Sequence, residues 1–467
     1  MNERSQVAVI GGGISGLTTA YWLSRAGLDV CLFEREETVG GTMRTIRQDG
    51  WLIESGPNSA LETTPLFGEL IRELALEAQH AYADPSSNRR YILRDGQLHA
   101  LPMSPPAFLR TRLWSVAGKL RLLKEPFVGR ATAEESVAEF VARRLGREFL
   151  DYAINPFVAG VYAGNPEDLS VRLAFPKLYR LEAVYGGLIR GMVMGARERR
   201  RRAETAKDRA KMFSFRDGME VFPAAMHRAL GERVVAASAI ASVAQEEGGG
   251  FRLRGRRSGR EFQHRADAVV VSTPAHAAAA LVRPIAPTTA AVLEGIVYPP
   301  VAEVFLGYRA EQSPRPLDGF GFLVPAREQR QILGTIWSSA LFPGRAPAGH
   351  IALTSFVGGS RQPSVLERDD SELVQLVRED LASIMGIRGE PAFLRVARWQ
   401  RAIPQYTLGY QRVLDELEEC ERRVPGLYFC SNFRGGIAVG DCVMSAERTS
   451  LRVREYLHSD NRVTIQR

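Results

Sequence analysis

The sequence predicts a mixed α/β fold built around a Rossmann-like dinucleotide-binding unit. Three observations near the N-terminus predict that unit. Residues 7–10 are an uninterrupted apolar run, typical of a parallel strand buried on both faces. A G-x-G-x-x-G motif follows at once, with its glycines at Gly11, Gly13 and Gly16. An acidic residue, Glu34, follows the next apolar run, about 20 residues beyond the glycines.

Each part of this motif has a physical reason. The first glycine permits a tight turn, the second lets a diphosphate approach the backbone, and the third lets a helix pack closely on the strand. That helix, predicted over residues 14–26, begins with Ile14 and Ser15, whose free N–H groups and partial positive charge suit a phosphate. A second strand at 30–33 brings Glu34 to a position where its carboxylate accepts hydrogen bonds from a ribose.

Length and composition narrow the classes of function. A chain of 467 residues predicts about three domain-sized units. The net charge is +8 without a nucleic-acid-binding motif, so an anionic small molecule or an anionic membrane surface fits better than nucleic acid. Four cysteines without a CxxC pair or a Cys/His cluster predict no disulfide framework, no metal site and a reducing, cytoplasmic setting. The sequence shows no signal peptide and no apolar stretch of about 18 residues, so we expect at most a peripheral position on the inner membrane face.

The rest of the chain alternates between helical and strand-like patterns. From about residue 60 to 210 the pattern is helical, and 65–79 is its clearest amphipathic segment. Strand-like runs then resume, and the run at 266–274 is typical of a buried parallel strand that returns to the first sheet. A mainly antiparallel sheet is predicted from the runs 301–308, 319–325, 331–339 and 350–359. Residues 186–211 join an apolar half to a basic half, which we interpret as a solvated helix or loop, with a membrane-surface patch as the alternative.

The residues after Glu34 indicate which dinucleotide binds. The stretch EETVGGTMRT, residues 36–45, is similar to the Gly-Gly-x-x-x-T/S stretch of FAD enzymes in the amine-oxidase-like superfamily. In those enzymes the glycine amides approach the diphosphate and a basic residue adds positive charge. The resemblance therefore implies FAD, with Gly40, Gly41 and Arg44 at its diphosphate. Nearby residues assigned to the cofactor are Arg35, Thr42, Gly56, Pro57 and Asn58.

A second glycine-rich stretch lies near the C-terminus. An apolar strand at 427–430 is followed by glycines at 435, 436 and 440, and a helix is predicted to begin near Asp441. In FAD proteins of this kind, the N-terminus of such a helix faces the flavin ring and stabilises negative charge there. We therefore expect Gly436, Val439 and Asp441 at the cofactor, in a domain assembled from distant segments.

The chain as a whole resembles the protoporphyrinogen oxidases, the FAD enzymes of late haem synthesis. The matching stretches run from end to end, and they are GGGISGL, ESGPNS, LHALP, AGVYAGNPEDLS, GFGFLVP, IPQYTLGY and GGIAVGDC. The resemblance implies a discontinuous Rossmann-like FAD-binding domain, a mixed-sheet substrate domain and a helical, membrane-associating domain. The implied boundaries are 1–85 with 210–280 and 405–467 for the FAD domain, 281–404 for the substrate domain, and 86–209 for the helical domain.

The resemblance also implies roles for individual residues. The backbone at Ile240 would hold adenine, and Trp399 would pack beside the flavin. Phe320 and Leu323 would sandwich a pyrrole ring of the substrate. Further substrate positions are Gly321 between them, Phe356 on the opposite side and Tyr162 near the pocket. An arginine that pairs with a substrate propionate is expected at Arg89 or Arg90, with Arg89 preferred because it keeps the Asn-Arg order.

The implied reaction is oxidation of protoporphyrinogen IX to protoporphyrin IX in three hydride transfers to flavin N5, with dioxygen reoxidising the flavin to give hydrogen peroxide. We identify no catalytic side chain and expect His99 to be structural. The alternatives are oxidation of coproporphyrinogen III, another flavoenzyme of the superfamily such as an amine oxidase or a carotenoid desaturase, and a flavin-free prenyl-binding escort protein. Expected partners include another enzyme of haem synthesis, and the protein is expected to be a monomer or a homodimer.

Overall fold

Seven strands form the first sheet of the protein, which a computed structural model describes over residues 4–194 and 210–465. Their spatial order is Val234–Val235, Val30–Phe33, Arg4–Ile10, Arg260–Val271, Phe251–Arg257 and Ser238–Gln245, and Leu427–Phe429 also pairs with Arg260–Val271. The strands from Val234–Val235 to Arg260–Val271 are parallel, as is Leu427–Phe429, and the last two in the order are antiparallel. The predicted return of the 266–274 run to the first strand is confirmed.

Both faces of this sheet are covered, as the continuous apolar runs predict. In the first strand Val7 and Val9 pack into one hydrophobic core, whereas Ala8 and Ile10 pack into another. All four side chains are at most 4% exposed. On the first of these faces the helix Ile14–Arg25 packs against the long C-terminal helix Val439–Ile465. The predicted Rossmann-like unit in a mixed α/β fold is confirmed.

A second sheet of seven strands is mainly antiparallel, and its strands alternate along the chain with those of the first sheet. Its spatial order is Phe393–Trp399, Val301–Arg309, His350–Gly358, Ile332–Ile336, Gly321–Leu323, Arg90–Arg94 and Gln97–Ala100. The pairing between Gly321–Leu323 and Arg90–Arg94 is parallel, and the other pairs are antiparallel. The helix Asp370–Met385 packs against this sheet through buried leucine and valine side chains.

Two local predictions need correction. The helical pattern expected throughout 60–210 is interrupted by Arg90–Arg94 and Gln97–Ala100, which pair at the edge of the second sheet because a two-residue turn at Asp95 and Gly96 folds them into a hairpin. The amphipathic helix expected at 65–79 covers only Leu66–Glu73, because Ala75 takes a left-handed conformation with φ of 54°. The proposed domain boundaries stay a prediction.

Short sheets and helices complete the described chain. The small sheets pair Thr45–Gln48 with Trp51–Glu54, and Met212–Phe215 with both Ala60–Leu61 and His80–Tyr82. Further α-helices are Pro105–Arg110, Val116–Arg121, Val137–Arg144, Arg147–Phe149, Asn155–Tyr162, Val171–Ala174, Pro176–Tyr185, Val221–Leu230, Ala275–Val282, Pro287–Glu294, Ser338–Leu341 and Gln411–Arg423. Short 3₁₀ or π segments are Pro85–Asn88, Leu122–Phe127, Leu150–Ile154, Gly231–Arg233, Ala310–Gln312, Ala326–Glu328 and Pro363–Glu367.

Two further observations concern membranes. Within residues 4–194 and 210–465, no helix combines the length and the apolar character needed to cross a bilayer. The basic half of the 186–211 segment lies mostly outside the described residues, so both interpretations of it stay predictions.

Candidate active site

The first turn of the Rossmann unit is shaped by its three glycines. Gly11 has a φ of 108°, and a Cβ there would lie 2.9 Å from the carbonyl oxygen of Ser272. A Cβ at Gly16 would clash with the carbonyl oxygen of Gly11, so the helix can approach the strand only if this residue is a glycine. Gly13 differs, because a Cβ built on it meets no protein atom within 4 Å. The backbone at Gly13 therefore borders open space, as the predicted approach of a diphosphate requires.

The helix that follows presents an uncapped N-terminus. No side chain caps the helix Ile14–Arg25 at its N-cap residue Gly13, and no acidic residue lies in its first turn. Unpaired N–H groups and the positive end of the helix dipole together favour an anion. This end of the helix can therefore receive a phosphate group.

Glu34 is fixed beside the turn by two backbone N–H groups. Its Oε2 accepts a hydrogen bond from Gly12 N at 2.6 Å, and its Oε1 accepts one from Glu36 N at 2.9 Å. A Cβ on Gly12 would lie 2.9 Å from Oε2, so this glycine also makes room for the carboxylate. A distant segment of the chain contacts Glu34 at Ser238, whose backbone N–H donates a hydrogen bond to the Glu34 carbonyl oxygen at 2.7 Å. Ile240 is thereby held near the ribose-binding position predicted for Glu34.

The Gly40-Gly41 loop closes the opposite side of the turn. Gly40 N donates to the carbonyl oxygen of Gly12 at 2.8 Å, and a Cβ on Gly41 would lie 3.3 Å from Gly13 Cα. Arg44 is oriented by hydrogen bonds from its Nε to the Gly41 carbonyl oxygen at 3.0 Å and from its Nη1 to Thr38 Oγ1 at 3.1 Å. Two glycine backbones and one guanidinium group thus converge on the same space.

A cavity of about 1180 Å³ extends from this turn to the second sheet. Most of the residues predicted for the site line it, and they are Gly11, Gly13, Ile14, Ser15, Glu34, Arg35, Gly40, Gly41, Thr42, Arg44, Gly56, Pro57, Asn58, Ile240, Phe356, Trp399 and Val439. The far end is apolar and includes Leu333 and Ile336 beside Phe356 and Trp399. A single space therefore joins a polar nucleotide end to an apolar end.

Other predicted residues do not line this cavity. They are Gly16, Arg89, Arg90, Tyr162, Phe320, Gly321, Leu323, Gly436 and Asp441. Gly16 acts through packing, as described above. Tyr162 donates its hydroxyl to the Ala174 carbonyl oxygen at 2.9 Å, and burial raises its pKa to about 12. Gly321 has a φ of 137° and faces the carbonyl oxygen of Thr335 so closely that a Cβ would clash there.

The two candidate arginines have different surroundings. Arg89 is exposed, and its Nη1 forms an ion pair with Asp318 at 2.6 Å. Arg90 lies over the ring of Phe320, with its guanidinium carbon 5.6 Å from the ring centre. Arg89, which the sequence order favoured, therefore already has a carboxylate partner. Which of the two arginines pairs with a substrate propionate stays a prediction.

The second glycine stretch is held by tyrosines whose role the sequence reasoning missed. The helix begins at Val439, two residues before the predicted Asp441. Tyr406 donates its hydroxyl to the Asn432 carbonyl oxygen at 2.8 Å and accepts a hydrogen bond from Gly436 N at 2.9 Å. Tyr410 donates likewise to the carbonyl oxygen of Phe433 at 2.8 Å. Both tyrosines belong to the stretch IPQYTLGY. That stretch contributed to the family resemblance, but nothing in it predicted hydrogen bonds to the second glycine stretch.

The sequence reasoning also missed Glu303. This residue is one acidic position in an otherwise apolar strand, Val301–Arg309, and it lines the cavity beside Trp399. One sign of its importance was available in the sequence, namely that a charged residue interrupts an apolar run. Burying a carboxyl group in such a strand is unfavourable unless the group has a partner or a function.

The donor set fits the flavin dinucleotide that the motifs imply. Glycine backbones border the cavity where a diphosphate would lie, as the open space at Gly13 and the uncapped helix show. Glu34 presents a fixed carboxylate, and Arg44 presents a cation. A flavin ring next to Val439 and Trp399 would then lie between the polar and apolar ends of the cavity.

Comparisons with known proteins agree with this geometry. Residues 14–454 match the model of the flavin-containing amine oxidoreductase family. Protoporphyrinogen oxidase 2 of Arabidopsis thaliana is 33% identical over 97% of this chain and 94% of its own length. Coproporphyrinogen III oxidase of Bacillus subtilis is 28% identical over 98% of this chain and 99% of its own length. A crystal structure from Exiguobacterium sp. 255-15, assigned to the protoporphyrinogen oxidases, superimposes with a TM-score of 0.80 at 26% identity and covers 98% of this chain and 99% of that one.

These matches extend along nearly the whole chain, so they concern the complete arrangement of both sheets rather than the nucleotide unit alone. They confirm the predicted resemblance, the oxidoreductase class and FAD as the cofactor. The protein belongs to the flavin-containing amine oxidoreductase family.

Proposed function

We propose that this protein oxidises a porphyrinogen in haem biosynthesis, with protoporphyrinogen IX as the preferred substrate. The observation that carries the proposal is the full-length similarity to protoporphyrinogen oxidases, at 33% identity over 97% of the chain. The cavity supports it, because its apolar end adjoins the expected flavin position. A reduced tetrapyrrole has an apolar body that such a space can hold.

Bound FAD supplies a two-electron acceptor, and dioxygen is the proposed reoxidant. The chain's own contribution is to place a methylene bridge of the substrate against that acceptor and to exclude water. Phe356 and Trp399 form apolar walls at the far end of the cavity. Positioning of this kind needs rigid side chains, and both residues lie in paired strands of the second sheet.

Substrate carboxylates need cations, and the proposed ones are Arg89 and Arg90. Because Asp318 pairs with Arg89, a propionate would have to displace a carboxylate there. Arg90 is exposed like Arg89, but it stacks on Phe320, and desolvation lowers its pKa with no opposing carboxylate, so we favour Arg90 as the propionate contact. Phe320 and Leu323 remain proposed neighbours of a pyrrole ring.

The test is anaerobic reduction of the purified flavoprotein. Protoporphyrinogen IX and coproporphyrinogen III are added separately, and the loss of flavin absorbance is followed by stopped flow. We expect faster bleaching with protoporphyrinogen IX. A higher kcat/KM for coproporphyrinogen III would transfer the proposal to that substrate, which the similarity to a coproporphyrinogen III oxidase makes the second candidate. Bleaching by an amine but by neither porphyrinogen would refute the function.

We also propose that the helical region 102–127 contacts an anionic membrane surface. Its short helices carry exposed apolar side chains, with Phe127 88%, Met103 74%, Leu109 72%, Val116 72% and Leu123 69% exposed. Lysine and arginine residues, including Lys119 and Lys124, lie on the same segments. Exposed apolar side chains flanked by cations suit the interface of a bilayer with anionic headgroups.

The double variant Phe127→Glu with Leu123→Glu is therefore expected to lose binding to vesicles that contain anionic lipid. Two side chains of this size, when buried in lipid, contribute about 1.5–3 kcal/mol each, so the partition constant should fall by about 100-fold or more. Flotation with vesicles measures the bound fraction. Leu394→Glu, which alters a 54% exposed leucine in the second sheet, is the control and should bind as the unmodified protein does. Equal binding by all three proteins would refute the membrane contact.

A further inference from the structure

An acidic side chain stands among the apolar walls of the cavity. Glu303 lies opposite Phe356 in the register between Val301–Arg309 and His350–Gly358, and both residues line the cavity. Glu303 is only 7% exposed, yet its Oε2 has no hydrogen-bond partner among the described residues. A buried polar atom without a partner is costly, which indicates that a molecule bound in the cavity supplies the partner of this oxygen.

Burial of Glu303 brings the pKa of its carboxyl group close to neutral pH. Burial raises the pKa of Glu303 to about 8. The nearby indole of Trp399 opposes this rise, whereas the carboxylate of Glu54 adds to it. Glu54 itself is paired with Arg345 at 3.3 Å and lies near Glu220. Glu303 therefore exchanges a proton in the range where enzymes of this kind would work.

We propose that Glu303 accepts the pyrrole N–H proton that the substrate releases during each oxidation. The inference rests on the proposed function. In one round a bridge C–H bond breaks and its hydrogen leaves with both electrons as hydride, for which FAD is the acceptor. A pyrrole N–H bond breaks, its proton passes to a carboxylate oxygen of Glu303, and a carbon–nitrogen double bond forms. Three rounds remove three hydrides and three protons, which together account for six electrons and six hydrogens. One proton then shifts from the fourth bridge carbon to a ring nitrogen, which changes neither count and gives the porphyrin.

The chemistry of the substrate explains why a carboxylate would suit this position. The inner edge of a porphyrinogen presents N–H donors and no strong acceptor, so it matches an acceptor-only group such as an ionised Glu. Loss of hydride leaves positive charge on the pyrroles, and a nearby carboxylate in a cavity of low dielectric stabilises that charge. The proton must return to water before the next round, which a group with a pKa near the working pH allows.

The test compares the FAD-loaded protein with its Glu303→Gln and Glu303→Asp variants. Anaerobic bleaching by protoporphyrinogen IX is measured from about pH 6 to about pH 9.5, on either side of the Glu303 pKa. A base must be ionised, so the rate of the unmodified protein should rise with pH and level off above about pH 8. Glu303→Gln should bleach about 100-fold more slowly with no rising limb. Glu303→Asp should retain a rising limb at a reduced rate, because it keeps a carboxyl group.

The control is Glu311→Gln, an exposed glutamate just beyond the same strand, which should keep both the rate and the pH profile. If the Glu303→Gln variant kept the full rate, or an unchanged rising limb, the role of Glu303 would be overturned and the proposed function would stand. If neither porphyrinogen bleaches the unmodified protein at any pH, the proposed function itself fails, and the inference falls with it.

A stability measurement reports on the same carboxyl without any substrate. The pKa of Glu303 in the folded state, about 8, is higher than the ordinary value of about 4.3. The protonated carboxyl therefore favours the folded state, and this contribution to stability is complete below about pH 4.3 and is lost as the pH rises through about 8. Glutamine does not titrate. The Tm of Glu303→Gln should therefore exceed that of the unmodified protein by a margin that grows between about pH 5 and about pH 8. A constant difference over this range would overturn the assignment of Glu303 as the titrating group.

Discussion

Gly13→Val is expected to give a folded protein that has lost its FAD. A Cβ at Gly13 meets no protein atom within 4 Å, and the residue has a φ of −71° and a ψ of 175°, an extended conformation that valine adopts readily. The Cβ of the valine would therefore create no clash within the chain. It would occupy the space that borders the helix N-terminus, where the diphosphate is expected to lie.

The expected loss of FAD affinity is about 100-fold or more, which corresponds to about 2.8 kcal/mol. Equilibrium titration of the FAD-free protein, followed by quenching of flavin fluorescence, measures it. Urea unfolding of the FAD-free forms should give the same midpoint for Gly13→Val as for the unmodified protein, since ligand-free forms exclude the stabilisation that FAD itself provides.

Gly68→Ala is the matched control. Gly68 is an exposed glycine in the helix Leu66–Glu73, and a Cβ there also meets nothing within 4 Å. Alanine favours a helix over glycine by about 0.5–1 kcal/mol, so this variant should be slightly more stable and bind FAD normally. If Gly13→Val purified yellow with one FAD per chain, the diphosphate could not lie against Gly13, and the interpretation of the motif would be wrong.

Local sequence rules predicted the nucleotide end of the site well, because its geometry depends on backbone conformation. Gly11 and Gly16 are glycines for steric reasons that the short motif expresses directly. The strands at Val30–Phe33 and Arg260–Val271 contain continuous apolar runs, and such runs predict buried parallel strands without knowledge of their partners. The family match and both sheets are in agreement with these predictions.

The apolar end of the cavity was less accessible to sequence reasoning, because its members come together only through long-range pairing. Glu303 meets Phe356 across more than 50 residues of chain, and nothing local in either strand indicates that contact. The hairpin that begins at Arg90 joins the second sheet through pairing with Gly321–Leu323, which lies more than 200 residues later. Periodicity reports which face of an element is buried but not what covers it.

The helical region 102–127 is held in place by a buried network of ion pairs that includes Arg144. We expect Arg144→Met to lower the free energy of unfolding by about 3–5 kcal/mol. Arg144 is fully buried, and its guanidinium pairs with Glu125 at 3.1 Å and with Glu182 at 3.0 Å. Glu125 is also fully buried and accepts hydrogen bonds from the backbone N–H groups of Leu188 at 2.7 Å and Ile189 at 3.1 Å. Methionine would fill most of the volume but leave the buried Glu125 carboxylate without its cation, whereas Glu182 would keep Arg143 at 3.0 Å. Uncompensated buried charge is costly.

Arg147→Met provides the matched control, since Arg147 lies three residues later with its side chain 71% exposed and paired with Asp151 at 3.2 Å. Exposed pairs of this spacing contribute at most about 0.5 kcal/mol, so its urea midpoint should hardly move. Adding Glu125→Gln to Arg144→Met should recover part of the loss, because it removes the carboxylate that Arg144 had neutralised. If Arg144→Met and Arg147→Met unfolded at the same urea concentration, the network would not support this region. The two hydrogen bonds that Glu125 accepts from Leu188 and Ile189 would then hold this connection without the cation, and the exposed apolar face at 102–127 would keep its shape without Arg144.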